Sequence, residues 1–167
     1  TEEEPALEAC SWRTPGDCAP RVSRPNWMDH WKKQIQKLSP VQIFEKLGSL
    51  LNDLQQTMLP EVDALLEKMR MSRDQFARES MDVFIQNSKD IFNPDTKEYN
   101  WNELANKLAP HFNAKLPDSE KKLGACSVLV STAILVVALV VSSPEAAELL
   151  KNTAAGIGVA ACTLIYG

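Results

Sequence analysis

Histidine is scarce in this chain: the 167 residues hold two, His30 and His111. Neither lies in an apolar segment, where a haem- or pigment-binding subunit carries its axial ligand. No cofactor is therefore expected. Neither histidine sits in a local catalytic motif, and there is no glycine-rich phosphate loop. Paired charges such as Glu67 or Asp74 near Arg70 and Arg73 read as ordinary solvated helix charges. The four cysteines show no C-x-x-C spacing and no companion histidine cluster, which excludes a zinc or redox site. Lysine and arginine are scattered and the net charge is −4. A nucleic-acid binder needs a basic face, so nucleic acid is not an expected partner. Internal repeats and low-complexity tracts are missing too. These absences leave no catalytic residues and no metal ligands to nominate, and the chain reads as a non-enzyme.

The longest absence is of charge. From Leu123 to Ser143 the sequence LGACSVLVSTAILVVALVVSS has no charge, no proline and no aromatic residue. At 1.5 Å per residue it is long enough to cross a bilayer core of about 30 Å. It holds no ionisable group of the kind that marks a transporter or proton path. A bundle helix normally keeps a polar stripe. Here only Cys126, Ser127, Ser131 and Thr132 interrupt the apolar run, and such small groups bond back to their own helix. The leading reading is a transmembrane helix; the other is the core helix of a soluble bundle.

Before this stretch, proline punctuates the chain. Residues 1–26 hold Pro5, Pro15, Pro20 and Pro25, and no helical period survives between them. An extended arm is expected, with Trp12 and Trp27 as partner anchors, since aromatic side chains concentrate binding energy at interfaces. The alternative is a leader packed on its own domain. Thr14-Pro15-Gly16-Asp17 is a turn signal between Cys10 and Cys18. Either the turn joins these two in a disulfide, or they are unrelated thiols. The opening residue is Thr1, from which removal of a targeting peptide or flanking sequence is expected. Residues 27–38 place Trp27, Trp31, Ile35 and Leu38 on one helical face and Lys32, Lys33 and Lys37 on the other. That pattern suits a helix at a membrane interface, with Trp27 and Trp31 as anchors, or one docked on the bundle that follows.

That bundle is expected over 39–116. Ser39, Pro40 and Gln42 form a helix start with a capping box. Val41, Phe44, Leu47, Leu51, Leu54 and Met58 then mark one face. Pro60 interrupts, and Val62, Leu65, Leu66 and Met69 carry a second helix. Ser72 and Gln75 repeat the capping box ahead of Phe76, Ser80, Val83, Phe84 and Ile91. Asn93-Pro94-Asp95 is a turn. Asn100 and Glu103 open a further helix with Trp101, Leu104, Ala105, Leu108 and Phe112 inward, limited by Pro110 and Pro117. Met58, Met69, Met71 and Met81 read as core fillers.

Beyond the apolar stretch, Ser143, Pro144 and Glu145 start a final helix that reaches the C-terminus. Its uncharged second half carries Gly156 and Gly158 among alanines, which permits close helix contact in a membrane. Residues 117–167 therefore read as a membrane hairpin. Cys126 and Cys162 read as small hydrophobes. The fold class is all-α: a 1–38 arm, a 39–116 helical domain and the hairpin. Lys115, Lys121 and Lys122 precede the span, and the positive-inside rule puts the large domain on the matrix or stromal side. A Cys10–Cys18 disulfide would require the opposite, oxidising side.

The run IFNPDTKEYNWNELANKL, residues 91–108, resembles the first homology motif of Bcl-2-type apoptosis regulators, where a turn leads into Asn-Trp-Gly-Arg at a helix start. Asn100 and Trp101 match, whereas Asn102 and Glu103 replace the Gly and Arg. Leu47, Leu51 and Asp53 loosely resemble that family's short helical motif. The resemblance covers about a third of the chain and implies a regulator that hides its apolar helix until it inserts into a membrane. Against it, the lost Arg removes a feature of the family's helix-binding groove, and Pro110 falls where a long hydrophobic helix is expected. The primary expectation is a non-catalytic, membrane-anchored accessory subunit of a larger membrane complex. Its partners would be other membrane subunits and the lipid bilayer. Its host would be an organellar energy-converting complex of the mitochondrial inner membrane or the thylakoid. A soluble monomer that buries 123–143 would favour the inserting regulator or pore former instead.

Overall fold

A computed structural model describes residues 39–51 and 58–167. The expected Cys10–Cys18 pair, the Trp12, Trp27 and Trp31 anchors and the helix over 27–38 lie outside the described residues, as do Asp53 and Leu54. Among the described residues seven α-helices account for nearly all regular structure. They are α1 (Pro40–Leu51), α2 (Met58–Lys68), α3 (Arg73–Gln86), the single turn α4 (Ser88–Ile91), α5 (Trp101–Asn113), α6 (Leu123–Val141) and α7 (Pro144–Tyr166). The all-α class is thus observed. Two two-residue strands, β1 (Phe92–Asn93) and β2 (Glu98–Tyr99), pair antiparallel across the Asn93-Pro94-Asp95 turn.

The helix starts follow local chemistry. Ser39 N–H donates to Gln42 Oε1 at 2.9 Å and Gln42 N–H returns to Ser39 Oγ at 3.2 Å, the reciprocal pair of a capping box. Ser72, Asn100 and Ser143 cap α3, α5 and α7 through bonds from the backbone N–H three residues on. The end of α2 is a Schellman turn. Arg70 takes φ +57°, Met71 N–H reaches Leu66 O at 2.9 Å and Arg70 N–H reaches Glu67 O at 3.0 Å. Met71 is then buried.

Two expectations need correcting. Val41 is 67% exposed, and α1 buries Ile43, Phe44, Leu47, Leu50 and Leu51 instead. The stripe is thus rotated off Val41. Pro110 does not limit α5, which runs on to Asn113. Pro110 sits on the exposed side of the last turn, so the Asn106 carbonyl that loses its N–H partner faces water.

Phe44, Phe76 and Phe112 pack in sequence, the first pair edge-on and the second tilted, with centroids 6.3 and 4.8 Å apart, and tie α1, α3 and α5 together. Arg73 lies 5.0 Å from the Phe44 ring centroid. These helices, with α2, form a sheath around α6. Fifteen of the 19 residues of α6 are buried, and α1, α2, α3, α5 and α7 all pack on it. One continuous core runs from Ile43 to Cys162, so it crosses the 116/117 division drawn from sequence.

Candidate functional site

The feature with functional content is the hairpin of α6 and α7. Two helices, Leu123–Val141 and Pro144–Tyr166, are long and apolar enough to cross a membrane by length and composition. They lie against each other through small side chains. Along α7, Ala147, Leu150, Ala154, Gly158 and Ala161 recur every three or four residues and are buried, which is one face of a helix. At Gly158 the two backbones approach closely. A Cβ there would collide with Ser131 Oγ and would lie 2.9 Å from the Ser127 carbonyl oxygen. Gly156 meets nothing within 4 Å. Two residues along a helix turn the side chain by about 200°, so only Gly158 faces α6, and Gly156 points outward.

Cys126 and Cys162 form a disulfide between the two helices. Reading them as small hydrophobes was therefore incomplete: both are buried, but they are covalently joined. A signal was present in the sequence, since they stand at comparable distances on either side of the Ser142–Ser143 turn. A hairpin folded at that turn brings such positions together.

The small polar groups of α6 behave in three ways. Ser127 Oγ donates to Leu123 O at 2.7 Å within its own helix. Ser131 Oγ instead crosses to Ala154 O at 3.1 Å. Thr132 Oγ1 is buried with no hydrogen-bond partner among the described residues.

Toward the sheath the polar links are few. Among the described residues, two side-chain hydrogen bonds cross from the hairpin. Tyr99 O–H donates to Val141 O at 2.8 Å, at the turn end. The Tyr166 hydroxyl bonds Asn113 Oδ1 at the far end. No ion pair among the described residues joins α6 or α7 to the sheath; Lys68 on α2 pairs with Glu120, just ahead of α6, at 2.9 Å, and Lys151 pairs with Glu148 inside α7 at 2.8 Å. The outer side of α7 exposes Leu149, Val159 and Leu164, the last turn leaves Ile165 and Tyr166 partly exposed, and no charged residue follows Lys151.

The sheath carries the electrostatics. Glu79 Oε1 lies 2.8 Å from His111 Nε2 and 3.7 Å from Lys115 Nζ, and its other oxygen accepts from Gln75. Partial burial pushes the Glu79 carboxyl up. The hydrogen bonds from Gln75 and His111 and the Lys115 charge outweigh it, so the group sits below the ordinary carboxylate value. This cluster ties α3 to α5.

The motif residues of the Bcl-2 resemblance fall beside the strand pair. Asn100 caps α5 and Trp101 stacks on Tyr99 with centroids 4.9 Å apart. They border an open groove of about 750 Å³ with Phe92 and Lys89 on its walls. The helix they open is amphipathic and 13 residues long; the long apolar helix is the next one. No protein-family model, curated protein or solved structure matches this chain.

Proposed function

We propose that this protein is a non-catalytic helical bundle that stores a span-length apolar hairpin and delivers it to a lipid bilayer, in the manner of an inserting regulator or pore former. The observation that carries this reading is the burial of α6. A 19-residue helix with no charge lies inside a coat of amphipathic helices, where a permanently anchored subunit would leave it facing lipid. The already apolar outer side of α7 supplies a surface for first contact with a membrane.

A second reading keeps the earlier expectation of an anchored accessory subunit. It draws on that same exposed side of α7, which a neighbouring membrane subunit of an organellar complex would cover. Sidedness differs between the clues. Lys115, Lys121 and Lys122 favour the matrix or stromal side, whereas the Cys126–Cys162 disulfide favours an oxidising space. The disulfide outweighs the lysines in favour of an oxidising space, because the charge rule applies to a span that is already inserted.

Detergent-free purification followed by vesicle binding tests the proposal. The expected result is a soluble monomer of 18.6 kDa that becomes carbonate-resistant on anionic phospholipid vesicles and releases a trapped dye. A monomer that stays in solution with every vesicle composition overturns it and makes α6 an ordinary core helix. Recovery only in detergent, within a large complex, replaces it with the accessory-subunit reading.

A further inference from the structure

The hairpin is closed at both ends. At one end Ser142 and Ser143 join α6 to α7 through the chain itself. At the other, Cys126 near the start of α6 is bonded to Cys162 near the end of α7. Between these closures, Ser131 bonds Ala154 and Gly158 lets the backbones meet. The interface between hairpin and sheath is of another kind. It is apolar packing, with a single tyrosine hydrogen bond at each end among the described residues. Apolar packing is non-directional and is replaced when apolar surface moves into lipid. A covalent bond is not replaced in that way.

We propose that α6 and α7 move as one covalently closed body, and that the Tyr99 and Tyr166 hydroxyls are the two hooks holding that body in the sheath. The parting surface is then the one between the α6–α7 pair and helices α1, α2, α3 and α5, and it includes the packing of α7 itself on α5 and α1. The α6–α7 seam stays shut. Tyr99 holds the turn end through the last carbonyl of α6, and Tyr166 holds the disulfide end through Asn113 on α5. The idea extends the membrane-delivery reading and rests on it for its purpose, but the closed body and its hooks are properties of the folded protein in water.

Two measurements on the full chain separate the two ideas. The first is native-state hydrogen exchange in buffer without lipid, comparing wild type with Tyr99→Phe, Tyr166→Phe and the double variant. Exchange reports local opening in contiguous cooperative units. Each single variant is expected to speed exchange about fivefold in α6 and α7 alike, the size set by one ordinary hydrogen bond. If α7 amides exchange well ahead of α6 amides in the oxidised wild type, α7 peels off alone and the proposal is overturned. Unchanged hairpin exchange in both tyrosine variants also overturns it. The double variant Cys126→Ala with Cys162→Ala, where it folds, should let α7 exchange ahead of α6.

The second measurement is trypsin digestion after incubation with phosphatidylglycerol-containing vesicles, read on a non-reducing gel. Trypsin sites flank and divide the hairpin at Lys122 and Lys151. Protection of both helices in one disulfide-linked piece is expected. Protection of α6 without α7 overturns the closed body while leaving membrane delivery standing. With no protected fragment and the exchange pattern as expected, membrane delivery fails and the closed body stands.

Discussion

The two apolar helices pass the same test of length and composition, yet the fold uses them differently. Of the span-length window in α6, 83% is buried; in α7 the figure is 28%. Helix α6 is apolar all round and has neighbours all round, as such a helix must in water. Helix α7 carries no charge over its last fifteen residues but is buried along one face only. A hydrophobic run therefore states what a segment needs, which is an apolar environment. It does not state whether protein or lipid supplies that environment. Only the surrounding amphipathic faces decide, and here they are sufficient for α6 and insufficient for α7.

The sharpest way to break this comparison is to place a charge at matched depth in each helix. Ile134 is fully buried in α6, and Leu149 is 72% exposed in α7. Ile134→Asp puts an unpaired carboxylate into the core and should cost more than about 4 kcal/mol, enough to unfold a marginal domain. Leu149→Asp should stay within about 0.5 kcal/mol. Chemical denaturation followed by circular dichroism reads both. Equal losses would mean that α7 is covered in solution and that the contrast is false.

A smaller pair concerns the two glycines. Gly158→Ala drives a Cβ into the Ser127 carbonyl and the Ser131 side chain. Backbone cannot yield as a flexible side chain does, so the helices must separate, at a cost of about 1–3 kcal/mol. Gly156→Ala meets open space and should stabilise α7 by about 0.5–1 kcal/mol, because alanine loses less backbone freedom on entering a helix. Opposite signs two residues apart, read from thermal melts, would confirm that α7 packs by one face. Matching signs would show a different rotation of α7 about its axis.

Much of the fold was legible because it is written in local codes. Ser39 with Gln42 and Ser72 with Gln75 mark helix starts by hydrogen bonds that span three residues, and Ser143 does the same through Ala146, with Pro144 in the first turn. The apolar rows of α2, α3 and α5 follow the same short period. The illegible part was long-range. Burial of α6 depends on α1, α2, α3 and α5 converging on it, and nothing within residues 123–143 records that. The Cys126–Cys162 bond joins positions 36 residues apart, and the Tyr99 and Tyr166 hydrogen bonds span 42 and 53. Val41 misled for a subtler reason. It shares a plausible row with Phe44 and Leu47, but Ile43 and Leu50 compete for the buried side and win.

The finest contrast is one hydroxyl in each helix. Thr132 on α6 is fully buried and its oxygen has no partner among the described residues. Thr163 on α7 is exposed and donates to Val159 O at 2.7 Å. Valine has nearly the shape of threonine without the oxygen. In α6 the exchange removes a buried polar atom that gave up its water for nothing, and Thr132→Val should stabilise by about 1 kcal/mol. In α7 the hydroxyl has both its helix carbonyl and solvent, so Thr163→Val should change stability by less than about 0.5 kcal/mol. Denaturation midpoints at constant m-value measure the difference. If Thr132→Val destabilises instead, the hydroxyl has a partner inside the core, and the interior around α6 holds more polar structure than its side chains alone provide.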